Sequence, residues 1–392
     1  KRVFSTLFLS VFSVTLGVGL VVPLLPVYAY DLGASGLFVG FIFGAFSLSR
    51  TVFLPYFGHL SDLKGRKPFI TAGLLAYFLA SIAYAFSETV NSLILIRLFH
   101  GIASAMILPV AQAYVADLAP KDKEGFVMGL FNVSLYAGLS IGPLIGGTVK
   151  DSFGIQTSFL SMGLVSFTGF LLCLILLPPR SDEKLLSRAS SPLRYRILIR
   201  NKHVAALFMF RLAYTTCIGL VWAFLPLFAH ERFQLSSSSI GILVMLSVFT
   251  SGLLQAPMGA MADRLNKRAL IVAGGLVTAV AILSFVYVQD FWGLLVSSVV
   301  FGVGGGIAMP SVMAMTVVIG RQTHSMGSVM AILTMGHSLG MMMGPILGGI
   351  VTDVFELELA FKGGALVILM GTVVAFLLTS KFRTLEESQK SM

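Results

Sequence analysis

Twelve apolar segments of about twenty residues or more follow one another along this chain, and no soluble fold can bury them all. They run at about 3–30, 36–60, 69–87, 91–117, 124–150, 155–178, 203–230, 236–262, 269–289, 291–320, 325–354 and 360–380. A helix rising 1.5 Å per residue crosses the hydrocarbon layer of a bilayer in about 20 residues, so each segment is long enough to span it. Charge is correspondingly scarce. Only 11% of the residues are charged and 56% are hydrophobic, with a mean hydropathy of +0.92; a soluble domain carries roughly 25% charge. The chain reads as an all-α membrane protein with twelve transmembrane helices. The first segment is long and lacks a small-residue cleavage site before the next, which predicts a retained helix and not a signal peptide.

The net charge of +10 does not point to nucleic acid, because of where the charges sit. Of the 27 lysines and arginines, three lie inside spans. Three more (Lys150, Arg232, Lys362) fall in connections or at span ends on one side, and the remaining 21 on the other. Such asymmetry marks the cytoplasmic side of a cell membrane and places both termini there. Cys173 and Cys217 lie inside apolar segments, so neither a disulfide framework nor a metal site is implied.

The chain repeats itself at an offset of 200–202 residues. Pro26 matches Pro226, Gly58 and Asp62 match Gly259 and Asp263, and Gly101 and Pro109 match Gly302 and Pro310. Gly138-x3-Gly142-Pro143-x2-Gly146-Gly147 recurs as Gly340-x3-Gly344-Pro345-x2-Gly348-Gly349. Apolar residues match cheaply in such a composition, whereas Gly-Pro and Asp at one offset do not. Two pseudo-symmetric six-helix bundles are expected, at 1–178 and 203–392, joined by a basic cytoplasmic linker at 179–202. Substrate bound between two such halves is a transporter arrangement.

The loop after the second span reads Gly58-His59-Leu60-Ser61-Asp62-Leu63-Lys64-Gly65-Arg66-Lys67. It resembles the signature loop of the major facilitator superfamily, G-x-L-x-D-x-x-G-R-K, with a degenerate copy at Gly259–Arg268. Leu16–Pro26 and Gly138–Gly147 are similar to stretches of that superfamily's twelve-helix drug:proton antiporters. The resemblance covers nearly the whole chain and implies the major facilitator fold. It also implies a gate made by Gly58, Asp62, Gly65, Arg66 and Lys67, with Asp117 pairing Arg66 and Asp263 standing in the second copy. Gly58 would permit close helix approach and Gly65 a tight turn. Gly138, Gly142, Pro143, Gly146, Gly344 and Pro345 read as a helix-packing motif. Arg97-Leu98-Phe99-His100-Gly101 is similar to the family's R-x-x-Q/H-G element, which ties Arg97 either to proton coupling or to packing within its half.

Exporters of cations in this family often carry a carboxylate midway along a span, and here none does. Arg50, Arg97 and Arg211 remain inside, with His100 and His337. Arg50 falls 14 residues into its span and His337 12, both near the midplane, and Arg211 8. A buried arginine is costly, so Arg50 and Arg211 are candidates for an anionic substrate group, and their alternative is snorkelling to the interface. His337, Tyr28 and Trp222 join the substrate candidates; His337 serves equally well as a packing residue. Tyr114, Gln112 and Gln255 are further cavity candidates. For a coupling proton the candidates are Arg97, His100 and Asp31.

No HExxH or GxxxxGK[ST] motif is present, so neither an enzyme nor a nucleotide-driven pump is expected, and no cofactor or metal. The leading expectation is a monomeric secondary transporter working by alternating access, a proton-coupled exporter of small amphipathic compounds, anionic or zwitterionic ones among them. A facilitator or uptake carrier for an organic anion and a non-transporting receptor on the same fold are the alternatives. Membrane lipid, a small-molecule substrate and a coupling proton are the expected partners.

Overall fold

Proline and glycine punctuate the helices. The structure, a computed structural model, describes residues 2–118, 124–178, 198, 200–323 and 326–379. The described residues form α1 (Arg2–Val21), α2 (Leu25–Asp31), α3 (Gly36–Lys64), α4 (Arg66–Ala85), α5 (Val90–Leu118), α6 (Glu124–Phe153) and α7 (Ile155–Leu176). After the linker, most of which lies outside the described residues, come α8 (Lys202–Phe233), α9 (Ser237–Arg264), α10 (Lys267–Tyr287), α11 (Phe291–Gln322), α12 (Met326–Val354) and α13 (Leu357–Leu378). No strand occurs among the described residues. Among the described residues, twelve spans are long and apolar enough to cross a membrane, the first formed by α1 and α2 together.

That first span, expected as one helix over 3–30, breaks at residues 22–24. Pro23 has no N–H to donate, and its ring crowds the carbonyl four residues back. The chain turns, with Leu24 N on the Val21 carbonyl at 3.0 Å. It then restarts with Pro26 in the first turn of α2, where a missing N–H leaves no gap in the ladder. Gly65, at φ +88°, makes the turn from α3 into α4 that the sequence requires of it.

The chain divides into two compact units. One comprises Lys1–Ser187 with Trp222–Val248, the other Arg188–Val221 with Phe249–Met392. In the first, α1 packs on α6 and α7, α3 on α5, and α4 on α5 and α7. In the second, α10 packs on α11 and α13, and α12 on the same two. The repeat is therefore visible in pairings as well as in residues: α4–α5 and α4–α7 recur as α10–α11 and α10–α13. It extends to single hydrogen bonds. Thr15 Oγ1 reaches the Ser134 carbonyl at 3.4 Å, and Thr215 Oγ1 reaches the Gly336 carbonyl at 3.3 Å.

Small residues permit these approaches. A Cβ on Gly142 would stand 2.7 Å from the Gly19 Cα, and one on Gly146 would collide with the Leu20 backbone. In the second unit a Cβ on Gly344 would collide with the Thr216 carbonyl, and one on Gly219 would lie 2.8 Å from the Pro345 ring. Dispersion gained by close backbone contact replaces the hydrophobic drive that lipid cannot supply. The outer faces stay apolar, with Leu95, Leu164 and Ile175 each two-thirds exposed or more. In water that surface would aggregate; in hydrocarbon it is solvated.

Candidate functional site

Gly65 sets the gate geometry by letting α3 and α4 meet head to tail, which brings Arg66 back over the last turn of α3. Its Nη2 lies 3.3 Å from Asp62 Oδ1 and 2.8 Å from Asp117 Oδ2, so one guanidinium joins the ends of α3 and α5. The arginine side chain is only 9% exposed while the two aspartates are about a third exposed, a partly desolvated bridge with more strength than a surface pair. Lys67 points elsewhere: its Nζ donates to the Leu177 carbonyl at 2.5 Å, at the end of α7. Arg268, its repeat partner, donates to the Phe376 carbonyl at 3.0 and 2.7 Å and stacks on the Phe376 ring. Each of these cations ties the third helix of its repeat to the sixth. A Cβ on Gly58 would meet nothing within 4 Å, so the close helix approach expected there is not present. The Asp263 side chain lies outside the described residues.

A second polar seam crosses the first unit. Arg97, His100 and Ser104 are spaced three and four apart and share one face of α5; Tyr77 and Tyr84, seven apart, share one face of α4. Arg97 Nε donates to the Ile42 carbonyl at 3.2 Å, and its guanidinium lies 5.0 and 4.9 Å from the ring centres of Phe43 and Phe46. Only 2% of Arg97 and 1% of His100 is exposed. His100 Nδ1 lies 3.3 Å from the Tyr84 hydroxyl, its ring stands edge-on to Tyr77 at 4.3 Å, and its Nε2 is buried with no hydrogen-bond partner among the described residues. Tyr77 bonds to Ser104 and lies in electrostatic reach of both Arg97 and Arg50. Arg50 itself is half-buried and makes no hydrogen bond or ion pair with the described residues. Three of the expected residues, Arg50, Arg97 and His100, are thus gathered in one seam. Sequence reading missed Tyr77, Tyr84 and Ser104, although the seven-residue and four-residue spacings could have marked them.

In the second unit, Arg211 on α8 reaches α11 and α12. Its Nη1 contacts the Met309 sulfur, and its Nη2 lies 3.4 Å from His337 Nδ1. A guanidinium only donates, so in this contact His337 accepts at Nδ1. The pairing of Arg211 with His337 was not predicted as a contact, although both were singled out.

The remaining candidates are dispersed. Asp31 is exposed at the end of α2. The Tyr28 hydroxyl donates to the Ser87 carbonyl at 2.5 Å and its ring packs edge-on to Phe159, which ties α2 to the α4–α5 connection. Trp222 borders a small apolar cleft with Gly19, Pro23, Pro143, Val244 and Val248. The cleft's volume of about 10 Å³ is the lower limit for one water, and the lining offers no polar partner. No group of three metal-ligating side chains occurs among the described residues.

Comparison with known proteins bears on the whole of this arrangement. A family model described as Major Facilitator Superfamily matches residues 7–236 and again 207–391. An uncharacterized MFS-type transporter of Methanocaldococcus jannaschii is 29% identical over 381 residues, covering 96% of this chain and 98% of the relative. The quinolone resistance protein NorA of Staphylococcus aureus is 25% identical over 363 residues, 90% of each chain. Among solved structures, the human organic anion transporter MFSD10 superposes with a TM-score of 0.67 at 21% identity, covering 95% of this chain and 99% of that one.

Proposed function

The chain belongs to the Major Facilitator Superfamily, and from that premise we propose that it exports small amphipathic organic compounds carrying an anionic or zwitterionic head. Export proceeds by alternating access and is driven by the proton gradient. The observation that carries the charge assignment is the inventory inside the spans. Arg50, Arg97 and Arg211 lie within them, whereas the described acids lie in connections or in the terminal turns of helices. An arginine keeps its charge, and at the bilayer centre it costs at least about 2.5–3.5 kcal/mol. Arg97 is held by a carbonyl and two aromatic rings within its own unit. Arg50 has no such partner among the described residues and is the residue available to a negative group; Arg211, with His337, supplies a second cationic position. An apolar substrate body suits a chain whose polar groups are so few.

The chain has no phosphate-binding loop, so a proton is the drive we assign, and His100, His337 and Asp31 are the titratable groups for it. Likeness to a quinolone resistance protein supports export as the direction. The 21-to-3 asymmetry of basic residues supports a cell-membrane protein with both termini and the 179–202 linker in the cytoplasm. The protein acts as a monomer in this reading. Growth of an overexpressing strain and a deletion strain on toxic amphiphiles tests the function. Overexpression is expected to protect against anionic and zwitterionic amphiphiles. Protection confined to permanent lipophilic cations contradicts the charge assignment.

A further inference from the structure

One carboxylate joins the end of α6 to the start of α9. Asp151 Oδ1 accepts from the Ser237 N–H at 3.1 Å, and Oδ2 accepts from the Ser238 N–H at 2.7 Å and from the Ser238 hydroxyl. The first N–H groups of a helix have no partner within it and carry the positive end of its dipole. Ser236 Oγ caps the third, accepting from the Ser239 N–H at 3.2 Å, and the aspartate from another helix takes the first two. Beneath it the backbones touch: a Cβ on Gly147 would collide with the Ser237 carbonyl, and one on Gly241 with the Pro143 carbonyl. Tyr30 and Glu231 form a side-chain hydrogen bond joining the ends of α2 and α8. Below lies the apolar cleft bordered by Pro143, Trp222, Val244 and Val248.

By sequence α6 belongs to the first repeat and α9 to the second, so this bond links two elements that an alternating-access cycle must part. Asp151 is exposed and Ser238 half-buried. The bond is charge-assisted, yet water can replace it at either partner, which suits a contact that forms and breaks repeatedly. We propose that Asp151 is a latch: it holds the 153/237 end of these helices shut over the apolar cleft, and its hydrogen bonds break once in each transport cycle. The per-cycle release rests on the alternating-access reading; the holding of the cleft does not.

Two arms on the full-length protein separate these claims. The first reads the latch without transport, as the rate at which a maleimide labels Val244→Cys, a position 7% exposed. Adding Asp151→Ala is expected to raise that rate at least about 5-fold, while Asp151→Glu leaves it close to that of Val244→Cys alone. Equal rates with and without Asp151→Ala overturn the latch. The second arm uses Asp151→Cys with Ser238→Cys in proteoliposomes, with native Cys173 and Cys217 buried. Oxidation is expected to stop transport and reduction to restore it, with the single Asp151→Cys variant insensitive to the oxidant. Faster labelling together with transport that survives a complete cross-link overturns the per-cycle release and the alternating-access reading beneath it. Where the double variant is inactive even when reduced, the labelling rate of Val244→Cys decides: a rise on adding Asp151→Ala supports the latch, and no rise overturns it.

Discussion

Arg66 and Asp117 meet at 2.8 Å, and that contact is the shorter arm of a bridge whose other arm, to Asp62, measures 3.3 Å. The two arms differ in burden. Asp117 anchors the guanidinium to α5, while Asp62 lies on the same helix end that Gly65 turns away from. Asp62→Asn therefore keeps the stronger arm, and the variant is expected to insert and fold normally. Its transport rate should fall at least about 5-fold, because a coupling term of only 1–3 kcal/mol shifts a two-state population that far. Transport by Asp62→Asn at the wild-type rate removes Asp62 from the gate.

The glycines of α6 make a sharper prediction about stability. A Cβ on Gly138 would lie 2.7 Å from the Leu16 backbone nitrogen and would also press on the Thr15 hydroxyl. Backbone cannot yield as a side chain can. Gly138→Ala is expected to destabilise by about 1–3 kcal/mol, the usual cost of overpacking, and to lower the thermal midpoint of the purified protein. Gly129→Ala is the control, since a Cβ there meets nothing within 4 Å. Equal midpoints for the two variants contradict the close α1–α6 contact.

Arg50 carries the charge assignment. Arg50→Ala is expected to abolish transport of an anionic substrate with expression retained, and Arg50→Lys to keep part of it, because the charge survives while the bidentate fork is lost. Binding measured on the purified variants supplies the check. If permanent lipophilic cations bind tightly to the wild type and equally well to Arg50→Ala, the arginine does not select substrate charge.

Helix number and the repeat were legible because they rest on long-range regularities of composition, which a bilayer enforces over twenty residues at a time. The loop at Gly65 was legible because a tight turn between two spans admits few residues. What escaped were contacts whose signal is a single polar residue on an apolar face. Tyr77 and Tyr84 were not singled out, because an aromatic residue in an apolar span carries no mark of its own; their role shows only where α5 sets His100 against both. Asp151 read as one more acid at a helix end until α9 begins beside it. The break at residues 22–24 was misjudged for a different reason: hydropathy runs through a proline kink unchanged, and only the missing N–H of Pro23 marks it. Gly58 erred the other way, a motif glycine assigned to close packing that stands beside open space.

The central claim is proton-driven exchange of an anionic amphiphile. Purified protein in proteoliposomes, given an imposed pH gradient and a sulfonated fluorescent amphiphile, tests it most directly. A sulfonate stays charged at every working pH, so passive partitioning cannot imitate transport. Antiport predicts accumulation in vesicles whose interior is acidic, loss of that accumulation when a protonophore collapses the gradient, and no accumulation by Arg50→Ala. Accumulation that ignores the gradient, or that occurs only when the interior is alkaline, contradicts proton-coupled export and identifies a facilitator or a proton–anion cotransporter instead.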